Sequence, residues 1–328
     1  MNFIKRGVTF GAALIAKNEE DKIAEAVNSV KEFCSQVVVV DTGSDDRTPR
    51  ICLSLGCELY FFSWRDDFSA ARNFALKHMR TDWIISLDAD EAFRYNAAKF
   101  EELSEFLKNP HSGGISVKLK NYLNPDDPEH FTIHRYSRIF RNHPDIRFSG
   151  RVHEQVRPSI EKLELEILET EIEIDHFGYK ETSDIKMKRN LEMLESELKE
   201  NPDDPWIKYH IGETEFAAGN NIRAKEMFAS ILESPLLSKE QKEISGLRLA
   251  QISLGEDDWE AVREYLDFRS NEPAREGFRL FILASTLIQE GRFTDALNIY
   301  ESDIVRSSPI VDKNILYESI EQLKKITG

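Results

Sequence analysis

Three carboxylates fall within four residues at the end of an apolar run, where Trp83-Ile84-Ile85-Ser86-Leu87 gives way to Asp88-Ala89-Asp90-Glu91. A run of that length reads as a strand buried on both faces. In open α/β sheets, ligands gather off the carboxyl ends of strands. Side chains two apart in a strand or tight turn point the same way, which would aim Asp88 and Asp90 at one site. Two carboxylates held close repel unless a proton or cation lies between them. The cation suited to such oxygens is Mg2+ or Mn2+, shared with substrate phosphates. A solvated acidic turn is the plain alternative for an isolated Asp-x-Asp, so the rest of the chain decides.

The elements that would position these residues alternate in type. Residues 8–15 read as a first strand, followed by Ala16-Lys17-Asn18-Glu19-Glu20, with Asn18 as helix N-cap and Ile23, Val27, Val30 and Phe33/Cys34 on one helical stripe. Val37-Val38-Val39-Val40 is a central parallel strand ending at Asp41-Thr42-Gly43-Ser44-Asp45-Asp46. Thr48-Pro49 opens a second helix, which Ser44 is expected to cap and Gly56 to stop. Residues 58–62 are a third strand, and Phe68-Ser69-Ala70-Ala71-Arg72-Asn73 begins a third helix. Strand alternating with helix argues a parallel sheet with right-handed crossovers. Two of its strands end in Asp-rich turns on one edge, where a nucleotide could lie. No Gly-x-Gly-x-x-Gly follows the first strand and no P-loop occurs, which disfavours dinucleotide and P-loop sites.

Leu14-Ile15-Ala16-Lys17-Asn18-Glu19-Glu20, Val40-Asp41-Thr42-Gly43-Ser44-Asp45-Asp46-Arg47-Thr48, Phe68-Ser69-Ala70-Ala71-Arg72-Asn73 and Asp88-Ala89-Asp90-Glu91 come in one order. Together the four resemble a family-2 glycosyltransferase of the GT-A fold over residues ~8–95. The resemblance implies a nucleotide-sugar donor, usually a UDP-sugar, held by Ala16, Asn18, Glu19, Asp41, Gly43, Arg72, Asn73, Asp88 and Ala89. Within that set Asp41 would meet the base or ribose, and Arg72 and Asn73 would line the nucleotide pocket. Asp88 would touch ribose or metal, and Asp90 would hold the metal against the diphosphate. A nucleotidyltransferase would want a Gly-rich, basic loop after the first strand, which Ala16-Lys17-Asn18-Glu19-Glu20 is not.

Beyond residue 95 the rhythm changes. Residues 100–107 read as one helix, 115–122 and 133–140 as strands around the turn-rich Asn124-Pro125-Asp126-Asp127-Pro128, and 163–175 as a strand or hairpin with one acidic face. Arg135, Arg138, Arg141, Arg147, Arg151 and Arg157 crowd this region of an acidic chain. Arginine suits bidentate phosphate contact, but Arg135, Arg141 and Arg157 read better as a strand's solvent face. An inverting transfer needs a base to take the acceptor's proton as it attacks the sugar. Glu154 in Ser149-Gly150-Arg151-Val152-His153-Glu154 is the first candidate and Glu91 the second. A Gly-x-x-His-Glu segment in similar family-2 enzymes favours Glu154, the plain alternative being an Arg salt bridge. His153 reads equally as positioning the acceptor or diphosphate or as packing as a satisfied imidazole. His176, after the last strand, resembles the late histidine that completes the metal site beside Asp88 and Asp90, as metal or diphosphate ligand, the plain alternative being a structural imidazole.

From about residue 180 only helices are expected. Gly219/Ala224/Phe228, Gly255/Ala261/Tyr265 and Gly291/Ala296/Tyr300 recur at a period of roughly 35. The pattern resembles tetratricopeptide repeats, with 310–328 as a capping helix that turns Ile315, Ile320 and Leu323 inward. The sequence thus implies two domains: 1–180, an α/β GT-A fold with a mostly parallel, Rossmann-like sheet, and 181–328, an all-α helical-repeat domain. The function implied is an inverting, Mg2+- or Mn2+-dependent transferase moving a sugar from a UDP-sugar to a peptide or protein side chain or a glycan. The alternative is a non-catalytic interaction protein with a vestigial sugar-nucleotide site, against which the intact motifs argue. A net charge of −16 disfavours nucleic acid as partner. Cys34, Cys52 and Cys57 are odd in number and lack metal-ligand spacing, so they read as small hydrophobes of a reducing compartment. No window is long and apolar enough to span a bilayer. The chain is therefore expected in the cytoplasm, with peripheral membrane association and a homodimer through the repeats left open.

Overall fold

The computed structural model describes residues 7–94, 96–124, 127–177 and 184–328. Pro125 and Asp126 of the expected turn, and Gly178 and Tyr179 after the last strand, lie outside the described residues. The chain divides into two compact units, Met1–Met193 and Leu194–Gly328.

The first unit is built on an eight-stranded mixed sheet. Its parallel half is β1 (Phe10–Ala16), β2 (Gln36–Asp41), β3 (Glu58–Phe61) and β4 (Trp83–Asp88), joined through α1 (Ile23–Lys31), α2 (Thr48–Ser54) and α3 (Phe68–Leu76). The order β3-β2-β1-β4 brings the first, second and fourth strands side by side, the open α/β arrangement that the alternating pattern calls for. The apolar runs are buried because helices cover both faces. Leu14, Val39, Ile85 and Leu87 pack with Ile23, Val27 and Val30 on one side. Ile15, Val38, Val40 and Ile84 pack with Ala71 and Ala75 on the other.

The second half is mixed, with antiparallel pairs and one parallel pair. β5 (Glu91–Arg94), a strand the sequence did not announce, leaves straight from the acidic turn. The expected helix at 100–107 is two short ones, α4 (Ala97–Glu102) and α5 (Ser104–Lys108), broken at Leu103. β6 (Ser112–Asn124) and β7 (Asp127–Arg141) form a long hairpin, with β7 antiparallel to β4. After α6 (Arg157–Lys162), residues 166–176 are one strand, β8 (Glu166–His176), not a hairpin. It runs between β6, to which it is parallel, and β5, to which it is antiparallel, which consumes its edges. Its acidic face is neutralised in place: Lys120 reaches Glu173 at 2.9 Å and Arg135 reaches Glu171 at 2.8 Å.

α7 (Asp184–Glu200) leads into the helical unit. There α8 (Pro205–Ala217) pairs with α9 (Asn221–Ile231), α10 (Lys239–Gly255) with α11 (Trp259–Tyr265), and α12 (Pro273–Gln289) with α13 (Phe293–Tyr300). α14 (Asp303–Ser307) and α15 (Lys313–Thr327) close the row. Ala224, Phe228, Ala296 and Tyr300 are buried as the repeat predicts. In the middle pair Val262 and Leu266 take the buried places, one residue on from the expected Ala261 and Tyr265. In α15 Leu316 is buried, and Ile315, expected inward, is 54% exposed. Gly219 and Gly291 end their helices at positive φ, while Asp257 holds that conformation in the middle unit. The repeats depend on close approach. A methyl on Gly277 would fall onto the Ile304 carbonyl oxygen and 2.7 Å from Ser308 Cβ. Gly277→Ala is therefore expected to cost about 1–3 kcal/mol, read as a lower urea midpoint; an unchanged midpoint would contradict this packing.

Candidate active site

The sheet register assembles the carboxyl edge. Asp41 lies beside Ala16, and Asp88 beside Ile15, so β2 and β4 bring their acidic ends to either side of β1. The loops after β1 and β2 are laced together. The Asn18 amide donates to Ser44 Oγ at 2.9 Å, the Asp45 amide to Asn18 Oδ1 at 2.9 Å, and the Glu19 amide to Thr48 Oγ1 at 2.8 Å. Asn18 is thus not the N-cap of α1, nor does Ser44 cap α2; neither helix has a side-chain cap. Both residues serve the loop–loop seam instead, with Asn18 at φ 55°.

Asp41 is 1% exposed. Its Oδ1 accepts from the Gly43 and Ser44 amides, both at 2.9 Å. Its Oδ2 is buried with no hydrogen-bond partner. Gly43 sits at φ 111°, which allows this tight return of backbone onto the carboxylate. The Ala16 carbonyl accepts from the Thr42 amide at 2.9 Å, and Ala89 is buried in the core under the turn.

Asp88, Arg72, Glu154, Arg138 and Glu91 form one continuous chain of alternating charge. Arg72, 4% exposed on α3, donates from Nη2 to Asp88 Oδ1, from Nε to Glu154 Oε1, and from Nη1 to Ser86 Oγ at 3.1 Å. Arg138 Nη2 donates to Asp88 Oδ2 at 3.1 Å and to Glu91 Oε1 at 2.8 Å. Glu91 Oε2 accepts the Asp88 amide at 2.9 Å. Burial works against the charged form of Asp88, yet Arg72 and Arg138 hold it well below the usual carboxylate range. Burial pushes Glu91 up to about 7 against the pull of Arg138. Glu91, the second candidate base, is 2% exposed and has both oxygens engaged, by Arg138 and by the Asp88 amide.

Glu154 is where the sequence placed it, but in the Arg salt bridge that was its plain alternative. It ends a short loop closed by mutual Ser149–Gln155 backbone bonds at 3.0 Å, with His153 exposed at φ 55°. Asn73, expected against the nucleotide, spends its amide on this loop's root. It donates to the Phe148 carbonyl and accepts the Phe148 amide, both at 2.9 Å.

Asp90 and Asp88 take different partners: Asp88 is held by Arg72 and Arg138. Asp90 faces His176, whose Nε2 is 3.4 Å from Asp90 Oδ2 and whose Nδ1 meets Asn121 Oδ1 at 2.8 Å. Burial alone would lower the His176 pKa, but the hydrogen bond to Asp90 and the nearby carboxylates raise it. Among the described residues no three His, Cys, Asp or Glu side chains meet to hold a metal, so the set Asp88, Asp90, His176 is not assembled. What stands is the pair Asp90 and His176, with Asn121 behind the imidazole. That donor set suits a hard cation completed by substrate phosphates.

Sequence reasoning passed over Ser86 and did not single out Arg138. Ser86 carried a signal, as the polar residue in an apolar strand two positions before Asp88. Arg138 stood among six arginines. Of these Arg135 and Arg157 pair with Glu171 and Glu161, while Arg141 caps the Ser112 and Asn109 carbonyls.

Residues 12–158 match the model of the family described as Glycosyl transferase family 2. The chain is 26% identical to the SPbeta prophage-derived glycosyltransferase SunS of Bacillus subtilis over 349 residues, covering 98% of this chain and 80% of that one. It is 34% identical to a TPR repeat-containing protein of Synechococcus elongatus over 208 residues, 61% of this chain, and spans half of that relative's length. With S. aureus TarS 1-349 in complex with UDP it shares 15% identity over 98% of this chain and 92% of that one, at a TM-score of 0.42, a loose likeness. Residues 12–158 thus match the Glycosyl transferase family 2 model, and the residues that follow α7 fold as a row of helices.

Proposed function

We propose that the protein transfers a sugar from a UDP-sugar, with inversion and with Mg2+ or Mn2+, to a peptide or protein side chain or a glycan. The observation that carries the donor side is Asp41, whose buried Oδ2 is left without a partner at the edge where the strand ends meet. A buried carboxylate oxygen in that state is costly unless a ligand N–H or O–H completes it, as a base or ribose would. The laced loops of residues 18–20 and 43–48 hold that edge still.

Asp90 and His176 are the residues that would hold the cation, Asn121 fixing the imidazole. When bound, the ion supplies charge neutralisation for the departing diphosphate. Arg72 and Asp88 set the shared wall of donor and acceptor sides. Glu154 is the proposed base: its Oε1 is held by Arg72, so Oε2 takes the proton. In the step, the acceptor O–H or S–H loses its proton to Glu154 as its O or S bonds the anomeric carbon. The bond from that carbon to the diphosphate oxygen breaks, and UDP leaves with its electron pair. His153, on the exposed tip of the same loop, would position the acceptor.

A panel of UDP-sugars with Mn2+, with and without chelator, tests this. UDP release with at least one donor that stops on chelation is expected. No release with any donor, together with no UDP-induced thermal shift, would sink the proposal.

A further inference from the structure

We propose that Arg138 and Glu91 are positioning residues that set the Asp88-Ala89-Asp90 turn from behind, touching neither donor nor acceptor. The inference rests on the donor-site reading above.

It starts where two strands part. β7 pairs with β4 at Arg141–Trp83, Phe140–Ile84 and Ile139–Ile85, and the pairing stops there. Arg138 is the next residue, and it falls at the register irregularity between β7 and β6, where Ile139 pairs with Ile115 and Ser137 with Ser116. Its Nη2 joins two carboxylates, Asp88 Oδ2 at 3.1 Å and Glu91 Oε1 at 2.8 Å. Glu91 closes a ring by accepting the Asp88 amide at 2.9 Å. The turn is thus gripped through both the side chain and the main chain of its first residue. Its last residue is tied separately, the Phe177 amide donating to the Asp90 carbonyl at 3.1 Å.

The two guanidiniums hold Asp88 by opposite oxygens, Arg72 on Oδ1 and Arg138 on Oδ2. That fixes the plane of the carboxylate and with it the direction in which Asp90, two residues on, leaves the turn. The Tyr136 ring, 5.9 Å from the Arg138 guanidinium carbon, flanks the group. A buried ion pair adds little stability over apolar packing of the same volume. Arg138 and Glu91, with side chains 14% and 1% exposed, are better explained by the geometry they impose. A lysine would keep the charge on a flexible stem, without the planar, delocalised guanidinium whose Nη2 lies between the two carboxylates, which separates positioning from a simple electrostatic effect.

The test uses the full chain and the variants Arg138→Gln, Arg138→Lys, Glu91→Gln and Arg138→Gln/Glu91→Gln. Each is followed by thermal melting, UDP binding with Mn2+, and steady-state kinetics with the active donor. Both Arg138 single variants are expected to lower kcat about 10–100-fold, as outer partners of a binding group do, with acceptor KM changed less than about twofold. The double variant should be no worse than the poorer single one, because both residues act through one ring. Wild-type kcat in the folded variants, full rescue by lysine, or losses that multiply in the double variant would overturn the proposal. If Arg138→Gln does not fold, Arg138→Lys and Glu91→Gln decide. If the wild-type protein does not bind UDP, the donor-site reading fails and this inference with it; if it binds and the variants match it, this inference alone fails.

Discussion

Arg72→Met is expected to cost about 3–5 kcal/mol of stability and to abolish transfer, since it strands carboxylates inside the fold. Arg72 bonds Asp88, on the proposed donor side, and Glu154, the proposed base, and it also holds Ser86. Removing it leaves Asp88 with Arg138 alone and Glu154 without its guanidinium, while the hydrophobic replacement fills much of the space beside Phe148, whose ring lies 5.4 Å from the guanidinium carbon. Burial favours the neutral forms of the stranded acids, so part of the loss should be recovered at low pH. Asp88 illustrates the sign. Its pKa is held below its unfolded value, so its contribution is present above the unfolded value and fades as pH falls through the folded one. The wild-type protein should therefore lose stability on acidification more steeply than Arg72→Met. Urea melts of both proteins at neutral and acidic pH check this; equal midpoints at neutral pH would contradict the buried-bridge account.

Asp90→Ala is expected to leave the fold intact and to lower kcat about a thousandfold, equivalent to ~4 kcal/mol of transition-state stabilisation. The contrast with Arg72 comes from position. Asp90 is a half-buried turn residue whose side chain meets His176 at 3.4 Å, and its loss strands no buried charge. UDP affinity should lose its dependence on Mn2+ in this variant. Retained metal-dependent binding would move the cation site elsewhere.

How the site could be read from the sequence follows from what each residue had to advertise. Apolar runs ending in Asp41 and Asp88 were legible as buried strands that bring two acidic ends to one edge, on either side of β1. Arg138 was harder to see, because as one of six clustered arginines it read as a phosphate contact, and its bonds to Asp88 and Glu91 come from distant parts of the chain. The backbone bonds of Asn73 and Glu91 were not legible, because side chains that bond backbone look the same in sequence as side chains that meet a ligand. The single strand β8 read ambiguously as a strand or hairpin, since alternation reports a two-faced strand without saying how many neighbours it has. In the repeats the period was legible but not its phase: Leu316 and Val262 displaced Ile315 and Ala261, adjacent apolar residues about 100° apart on the helix.

The most direct measurement is a crystal structure of the full chain with UDP and Mn2+, using the anomalous signal of manganese. The account predicts the base or ribose against Asp41 Oδ2, the diphosphate over the ends of β1 and β4, and a manganese peak at Asp90 and His176 with Asp88 still held by Arg72 and Arg138. UDP bound away from these strand ends, or manganese seated on Asp88 with the arginines displaced, would contradict it.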